Sequence, residues 1–472
     1  MKTRYSSFYF LLFSLVVGLA ACRVGRNYER PPVALPEQYN NTTAPSDSSI
    51  ASIAWNQFFT DATLQQLIGK ALTSNYDLLI AVKRVEEAQS FLRQAKAAWL
   101  PSITGTASAS TNFPSKNSFT GINLAANNLG DHLEDFNLGA GLSWEIDVWG
   151  KIRRQKEAAL ADYLQTYEGQ HAVQTGLVAS VANSYFNLLM LDNQLQIAKK
   201  NLALSDTVVK MIQLQKAAGE VTELGVQQAI SQRQQAELLV PQLEQGIAIQ
   251  ENALRILTGE LPGPVARTSQ LSNYNVPDFL PSGVPAELIS RRPDVRAQEM
   301  ALVAANARVG VAQGSMYPSL SITASGGLNA FKASSWFTMP ASLFGTAAGS
   351  LTQPIFQRRQ LKTQLEVAKI RRESAVLSFR QSALQAIGEV SDALIRLDKV
   401  KSQQEIARRQ VQTAQTAIQQ AQMLFKSGMA TYLEVITAQG RALQAELSLA
   451  DIDRQRLSAM VDFYRSLGGG WK

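Results

Sequence analysis

Phe136-Asn137-Leu138-Gly139-Ala140-Gly141-Leu142-Ser143-Trp144-Glu145-Ile146-Asp147-Val148 is the stretch on which the fold turns. Phe136, Leu138, Ala140, Leu142, Trp144, Ile146 and Val148 alternate without a break with Asn137, Gly139, Gly141, Ser143, Glu145 and Asp147. A period of two puts each set on its own face of a β-strand. Upstream, Ile103, Ala107 and Ala109 oppose Ser102, Thr104, Thr106, Ser108 and Ser110; downstream, Leu320, Ile322 and Ala324 oppose Ser319, Ser321, Thr323 and Ser325. A weaker fourth segment over about 343–356 carries Leu351, Gln353 and Ile355 on the expected face. Trp99, Trp144, Trp149, Tyr317, Trp336 and Phe356 lie in or at the ends of these segments. That placement suits the aromatic girdles of a membrane barrel, although one face of a soluble β-sandwich would alternate in the same way.

The strands belong to a chain written twice. Asn75-Tyr76-Asp77 lies 217 positions before Arg292-Pro293-Asp294, and the same offset carries Pro101-Ser102 onto Pro318-Ser319 and Ala107-Ser108 onto Ala324-Ser325. Further on the offset is 209, aligning Glu157 with Glu366, Gly219 with Gly428, Thr222-x-Leu224 with Thr431-x-Leu433, and Gly259 with Gly468. Offsets this constant mark two halves of one architecture.

Each half also holds long helices. Lys151 to about Ala218 contains no proline and only Gly169 and Gly176; at 1.5 Å per residue that is a helix of roughly 100 Å. Val181, Ser184, Leu188, Leu191, Leu195, Ala198, Leu202, Ser205, Val209 and Ile212 keep 3-4 spacing, as do their counterparts 209 positions on, which is coiled-coil packing. Gly219 and Gly428 end these helices and start return helices over about 222–257 and 431–467, the first expected to be kinked or interrupted at Pro241.

The N-terminus sets the compartment. Lys2 and Arg4 precede an apolar run too short to span a bilayer, and Leu19-Ala20-Ala21 then leads to Cys22. This is an export signal, and its end resembles a bacterial lipobox, which implies that Cys22 is acylated. Arg23 follows, with no aspartate to retain the protein at the inner membrane. Pro- and Ser-rich residues 23–54 read as an extended tether. With one cysteine and two histidines in 472 residues, a disulfide framework and a His/Cys zinc site are excluded. The formal charge of +7 falls to +5 without Lys2 and Arg4, too small and dispersed for nucleic acid. No nucleophile elbow or phosphate-binding glycine loop occurs, so the chain is not read as an enzyme and no cofactor beyond the lipid is expected. Glu145 and Asp147 read as polar lumen-facing strand positions.

Four strands leave open edges, and a membrane tolerates only closed barrels, which in bacteria start at eight strands. Two or more chains must therefore share one barrel, continued by the long helices. A coiled-coil tethering lipoprotein without a pore is the competing reading.

The sequence resembles the outer membrane factors of the TolC/OprM type, in the NodT-like lipoprotein branch. The resemblance is carried by Cys22-Arg23-Val24-Gly25, Tyr28-Glu29-Arg30-Pro31, Phe58-Phe59-x-Asp61-x-x-Leu64-x-x-Leu67-Ile68, Arg291-Arg292-Pro293-Asp294-Val295-Arg296-Ala297-x-Glu299, Pro354-Ile355-Phe356 and Tyr432-Leu433-Glu434-Val435. The family often has proline where Arg26 stands and Gly-Arg where Arg358-Arg359 stand. The resemblance implies an α+β membrane protein: a homotrimer with a 12-stranded outer-membrane β-barrel continuous with a long periplasmic α-helical barrel, two internal repeats per chain. It implies the exit duct of a tripartite efflux system for drugs or other small molecules, fed by a periplasmic adaptor and an inner-membrane pump, commonly of the RND class; a duct for type I protein secretion is the alternative.

The implied division is 1–21 signal peptide, 22–54 acylated tether, 55–100 equatorial and α-barrel helices of the first repeat, 101–149 strands 1–2, 150–260 the first long hairpin, 261–317 a linker and helices of the second repeat, 318–356 strands 3–4, and 357–472 the second long hairpin and C-terminus. The implied sites are lipidation at Cys22, adaptor docking at hairpin tips with Gly219, Thr222, Leu224, Gly428, Thr431 and Leu433, and a periplasmic gate at Glu434. Thr437 stands where the family often has a second gate aspartate. No metal site is implied.

Overall fold

The computed structural model describes residues 24–33, 36, 49–127, 129–274, 277, 281–283, 285 and 290–472. Cys22, the signal segment and most of the tether lie outside the described residues. The main elements are α1 (Ala62–Ser74), α2 (Tyr76–Ala97), β1 (Ser102–Asn112), α3 (Phe119–Ala126), β2 (Leu133–Ile146), α4 (Lys151–Ala217), α5 (Glu223–Leu257), α6 (Pro293–Gly314), β3 (Ser319–Ala330), β4 (Leu343–Thr352), α7 (Gln360–Lys426) and α8 (Tyr432–Ser466). They divide into two compact units: one of 1–31, 87–164 and 300–377, the other of 32–86, 165–299 and 378–472. Among the described residues no helix is long and apolar enough to cross a membrane.

The first unit holds one antiparallel sheet in the order β1-β2-β3-β4. Its register sorts the alternation into two faces, because residues directly opposite in a ladder share a side. Ile103, Leu142, Ala324 and Ala347 are opposed in sequence across the four strands, and so the alternating apolar residues of β1, β2 and β3 fall on one side with Leu343, Ala347 and Leu351 of β4, whereas Phe344 and Ala348 lie on the other. The other side carries Thr104, Thr106, Ser143, Thr323, Ser325 and Thr346, with Ser321–Ser350 and Ser325–Thr346 hydroxyl bonds of 2.7 Å. At the middle of the sheet Gly327 faces Gly139. A Cβ on Gly327 would lie 2.1 Å from the Leu138 carbonyl oxygen, so the two strands meet there only as glycine against glycine.

The strand ends differ from the sequence reading. β2 stops at Ile146, and β4 stops at Thr352, leaving Gln353 and Ile355 outside. Pro354 lacks the N–H that would continue the ladder. Asp147 is not a lumen-facing strand residue: its carboxylate accepts the N–H groups of Ile152 (3.0 Å) and Arg153 (2.9 Å), capping α4, while Glu145 pairs with Lys151 at 2.7 Å. Before α7, Arg358 and Arg359 occupy the left-handed region at φ 47° and 68°, conformations that favour glycine; this is where the resemblance places Gly-Arg.

The long helices agree pairwise in length. α4 and α7 are each 67 residues, and α5 and α8 are each 35. Pro241 does not interrupt α5, which runs through it. Helix packing on both sides holds the turn that the proline deprives of one hydrogen bond.

Candidate functional site

The sheet ends carry the aromatic side chains. Trp144 donates its indole N–H to the Trp99 carbonyl at 2.8 Å, Trp149 donates to Pro318 at 2.6 Å, and the Trp149 and Tyr317 rings stack with centroids 5.2 Å apart. Phe356 is exposed four residues past the end of β4. Trp336 sits elsewhere, in the β3–β4 connection, against Phe136 at 5.4 Å and Phe337 at 5.0 Å.

Beside Trp149 the structure clamps the segment that follows Cys22. Val24 donates its N–H to the Trp149 carbonyl at 3.3 Å. The buried Arg154 donates to the Val24 carbonyl (3.3 Å), the Gly25 carbonyl and Asn27 Oδ1 (both 3.0 Å), and pairs with Glu157 at 2.6 Å. Asn306 donates to the Arg26 carbonyl at 3.0 Å. Gly25 has φ 84°, and a Cβ there would come within 2.9 Å of the Gly310 Cα. No spacing rule in the sequence points to Arg154; the clamp exists only in three dimensions.

In the second unit the two hairpin turns are built alike. Gly219 (φ 81°) and Gly428 (φ 70°) adopt the left-handed conformation. Glu220 N–H returns to the Gln215 carbonyl and Met429 N–H to the Leu424 carbonyl, both at 2.9 Å, the paired bonds of a glycine-terminated helix. The turns pack against each other through Val208, Val209, Ile212, Val226, Ala229, Ala421, Phe425 and Val435. Tyr432 seals this core, donating its hydroxyl to Gln228 Oε1 at 2.7 Å and lying over Gly225, where a Cβ would fall 2.8 Å from the Tyr432 ring. Leu224 and Leu433 stay exposed.

The return helices start differently. Thr222 makes no side-chain cap bond, and Lys216 reaches across to Glu223. Thr431 and Glu434 form a capping box: the carboxylate of Glu434 accepts the Thr431 N–H at 2.9 Å and the Thr431 hydroxyl. That hydroxyl, first among several donors, holds the Glu434 carboxyl below the ordinary range. The Thr-x-x-Glu spacing signals such a box, a signal the sequence reading did not use. Glu434 and Thr437 lie three residues apart on the exposed side of α8.

Three polar clusters in this unit were given no role from sequence, although Asp61 and Arg292 stand in stretches that carry the resemblance. Asp61 caps α1, accepting Leu64 N–H at 2.7 Å, Tyr274 hydroxyl at 2.6 Å and the Ser269 hydroxyl; burial opposes its charge, but these donors outweigh it and hold the carboxyl below the usual range. Arg267 bridges Asp192 (2.7 Å) and Glu251 (2.5 Å). Arg292, in the Arg-Arg-Pro-Asp run, is buried between Asp294 (2.6 Å), Glu389 (2.8 Å) and the Ser466 carbonyl (3.1 Å). Among the described residues no group of three His, Cys, Asp or Glu side chains could hold a metal.

Comparison with known proteins follows this geometry. The family model described as outer membrane efflux protein matches residues 67–260 and 284–469. The chain is 28% identical over 468 residues to the cation efflux system protein CusC of Escherichia coli O6:H1, covering 98% of each. It is 29% identical to the outer membrane protein OprJ of Pseudomonas aeruginosa, covering 98% of this chain and 95% of that one. The solved outer-membrane channel OprN matches with a TM-score of 0.86 and 28% identity, over 95% of this chain and 100% of that one.

Proposed function

The chain belongs to the outer membrane efflux protein family, and from that premise we propose that three copies build one exit duct, each lending four strands to a 12-stranded barrel and its long helices to a periplasmic α-barrel. It is an outer-membrane channel protein of an efflux system. The observation that carries the trimeric reading is the sheet: four strands with an apolar face, a hydroxyl-rich face and two open edges. In a bilayer such edges must be paired, the apolar face meets lipid, and the polar face lines water. The equal helix lengths of the two halves support the two-repeat organisation, and the domain limits given from sequence follow from it.

Within this duct Trp99, Trp144, Trp149, Tyr317 and Phe356 form an interfacial girdle at the helix end of the barrel, with Trp336 at the opposite end. The acyl groups on Cys22 anchor the segment that Arg154 clamps beside Trp149. The tips at Gly219, Thr222, Leu224, Gly428, Thr431 and Leu433 receive a periplasmic adaptor, and an inner-membrane pump of the RND class supplies energy and selects drugs or other small molecules. Glu434, with Thr437 beside it, lines the periplasmic mouth. The duct is passive, with no catalysis and no cofactor.

The test is native mass spectrometry with negative-stain imaging of detergent-extracted, lipidated protein. A mass of three acylated chains in a hollow particle is expected. A monomer, or a solid rod without a lumen, would refute the duct.

A further inference from the structure

After Leu433 at its start, the exposed positions of α8 nearest its turn are Glu434, Thr437, Arg441 and Gln444. Steps of three, four and three residues put them in one stripe along the helix. The rest of α8 is committed to the chain's own interior: Val435, Gln439, Ala442 and Ala445 are buried, and Tyr432 and Gly440 lie against the first return helix, Gly440 near Gln232. Only Leu433, at the turn end, adds an apolar side chain to the stripe. Its two charges are of opposite sign and stand apart. Glu434 is held only by the Thr431 cap, and among the described residues Arg441 makes no hydrogen bond or ion pair.

Burying a charge without a partner is strongly unfavourable, and the single leucine at the turn end would not offset it against another copy. The stripe therefore faces water. The matching positions of α5, Gly225, Gln228, Gln232 and Gln235, carry no charge, so this charge pattern is particular to the second hairpin. Seven residues separate Glu434 from Arg441, about 10 Å along the helix. That is roughly one screening length at physiological ionic strength, so the two charges act on a passing ion one after the other instead of cancelling.

We propose that Arg441 forms a cationic ring just inside Glu434 at the periplasmic mouth, and that this ring makes the mouth favour anionic and zwitterionic solutes, such as carboxylate- or phosphate-bearing amphiphiles, over small cations. The inference rests on the trimeric duct reading. Three like charges facing a narrow lumen set ionic preference as charged rings do in other pores. Thr437, neutral and between the two rings, leaves the sign of the field to change once along the path.

The test uses full-length, lipidated protein in planar bilayers under a KCl gradient. Arg441→Gln should raise the cation-over-anion permeability ratio about twofold or more, and Arg441→Lys should restore the wild-type ratio. Glu434→Gln, which keeps a side chain able to serve the capping box, should move the ratio the opposite way. If Glu434→Gln moves the ratio and Arg441→Gln does not, the ring is refuted while the duct stands. If Arg441→Gln instead dissociates trimers in native mass spectrometry without moving the ratio, Arg441 belongs to a contact between copies and the ring is equally refuted. Trimers that stay shut are read through Thr437→Cys, a thiol of its own kind beside acylated Cys22. The rate of modification by an anionic relative to a cationic thiol reagent should fall about twofold or more when Arg441→Gln is added, and an unchanged ratio overturns the proposal. Absence of trimers in the wild type would refute the duct itself.

Discussion

Glu168, His171 and Thr175 lie at i, i+3 and i+7 on α4, and each keeps a buried polar atom without a hydrogen-bond partner. Burial raises the Glu168 carboxyl above its ordinary value, and Arg296 at 2.6 Å pulls it back only in part. Burial, then the charge of Arg296, lowers His171, whose ring lies against Tyr167 and Trp471. The two shifts act in opposite directions. In the window between 4.5 and its raised value, Glu168 binds more protons folded than unfolded, so its contribution improves as pH falls. His171 binds more protons unfolded below 6.5, so its contribution worsens as pH falls. The difference between Glu168→Gln and wild type isolates the first. At pH 7 the variant should be the more stable by on the order of 1 kcal/mol, the scale of an unsatisfied buried polar group, and the gap should close toward pH 4.5. Thermal unfolding of trimers over this range checks it; a gap independent of pH would show that the carboxylate is not strained. Such residues were not legible in the sequence, because Glu168 and His171 look like any polar helix residues until α6 and the Gly468–Lys472 segment cover them. Arg292 and Asp61 stood out in sequence only as parts of motifs, and their buried partners, Glu389 and Tyr274, lie far along the chain.

At the scale of elements, helices and strands followed from periodicity and from where proline and glycine fall, and the errors came from single residues whose packing overrode the rule. Pro241 is one. It deprives α5 of the bond to the Glu237 carbonyl, yet the helix continues. Pro241→Ala should therefore raise the thermal midpoint of the trimer, by up to about 3 kcal/mol per chain in stability terms; an unchanged or lower midpoint would mean that the helix bends there to satisfy a contact. Gly225 is a second place where packing decides, one that no sequence pattern marks. Its counterpart at the second tip is Glu434, which can carry a side chain because it caps a helix, whereas Gly225 lies under Tyr432. In Gly225→Ala the new Cβ would sit 2.7 Å from Val221 Cγ1 and 2.8 Å from the Tyr432 ring. Overpacking of this kind costs about 1–3 kcal/mol, and the Tyr432–Gln228 bond is the contact free to yield. The variant should show larger single-channel conductance than wild type. Intact trimers with unaltered conductance would place the tip contact outside the mouth.

At the scale of the whole molecule, the decisive feature is that no described strand pairs with the outer edges of β1 and β4. Both strands are exposed along nearly their whole length, while β2 and β3 are only partly so. The start of β1 and the end of β4 lie at the same end of the sheet, since Ser102 opposes Ser143, Ser143 opposes Thr323, and Ser319 opposes Thr352. With an even number of strands per copy, β4 of one copy runs antiparallel to β1 of the next, so the ladder continues without a change of sense and can close. The sequence could show the alternation but not such a closure, because in the proposed barrel the pairing residues sit on different chains. Cys22 is the one natural cysteine, and the proposed acylation would remove its thiol, so introduced pairs report cleanly. With Thr104→Cys fixed on β1, cysteines placed singly from Thr346 to Ser350 on β4 should cross-link with a period of two, because successive residues alternate between faces. The product should run as a covalent trimer on non-reducing gels, with neither single cysteine giving it. Cross-linking that stops at dimers, or that shows no alternation along β4, would mean that the edges meet something other than each other, and the shared barrel would have to be abandoned.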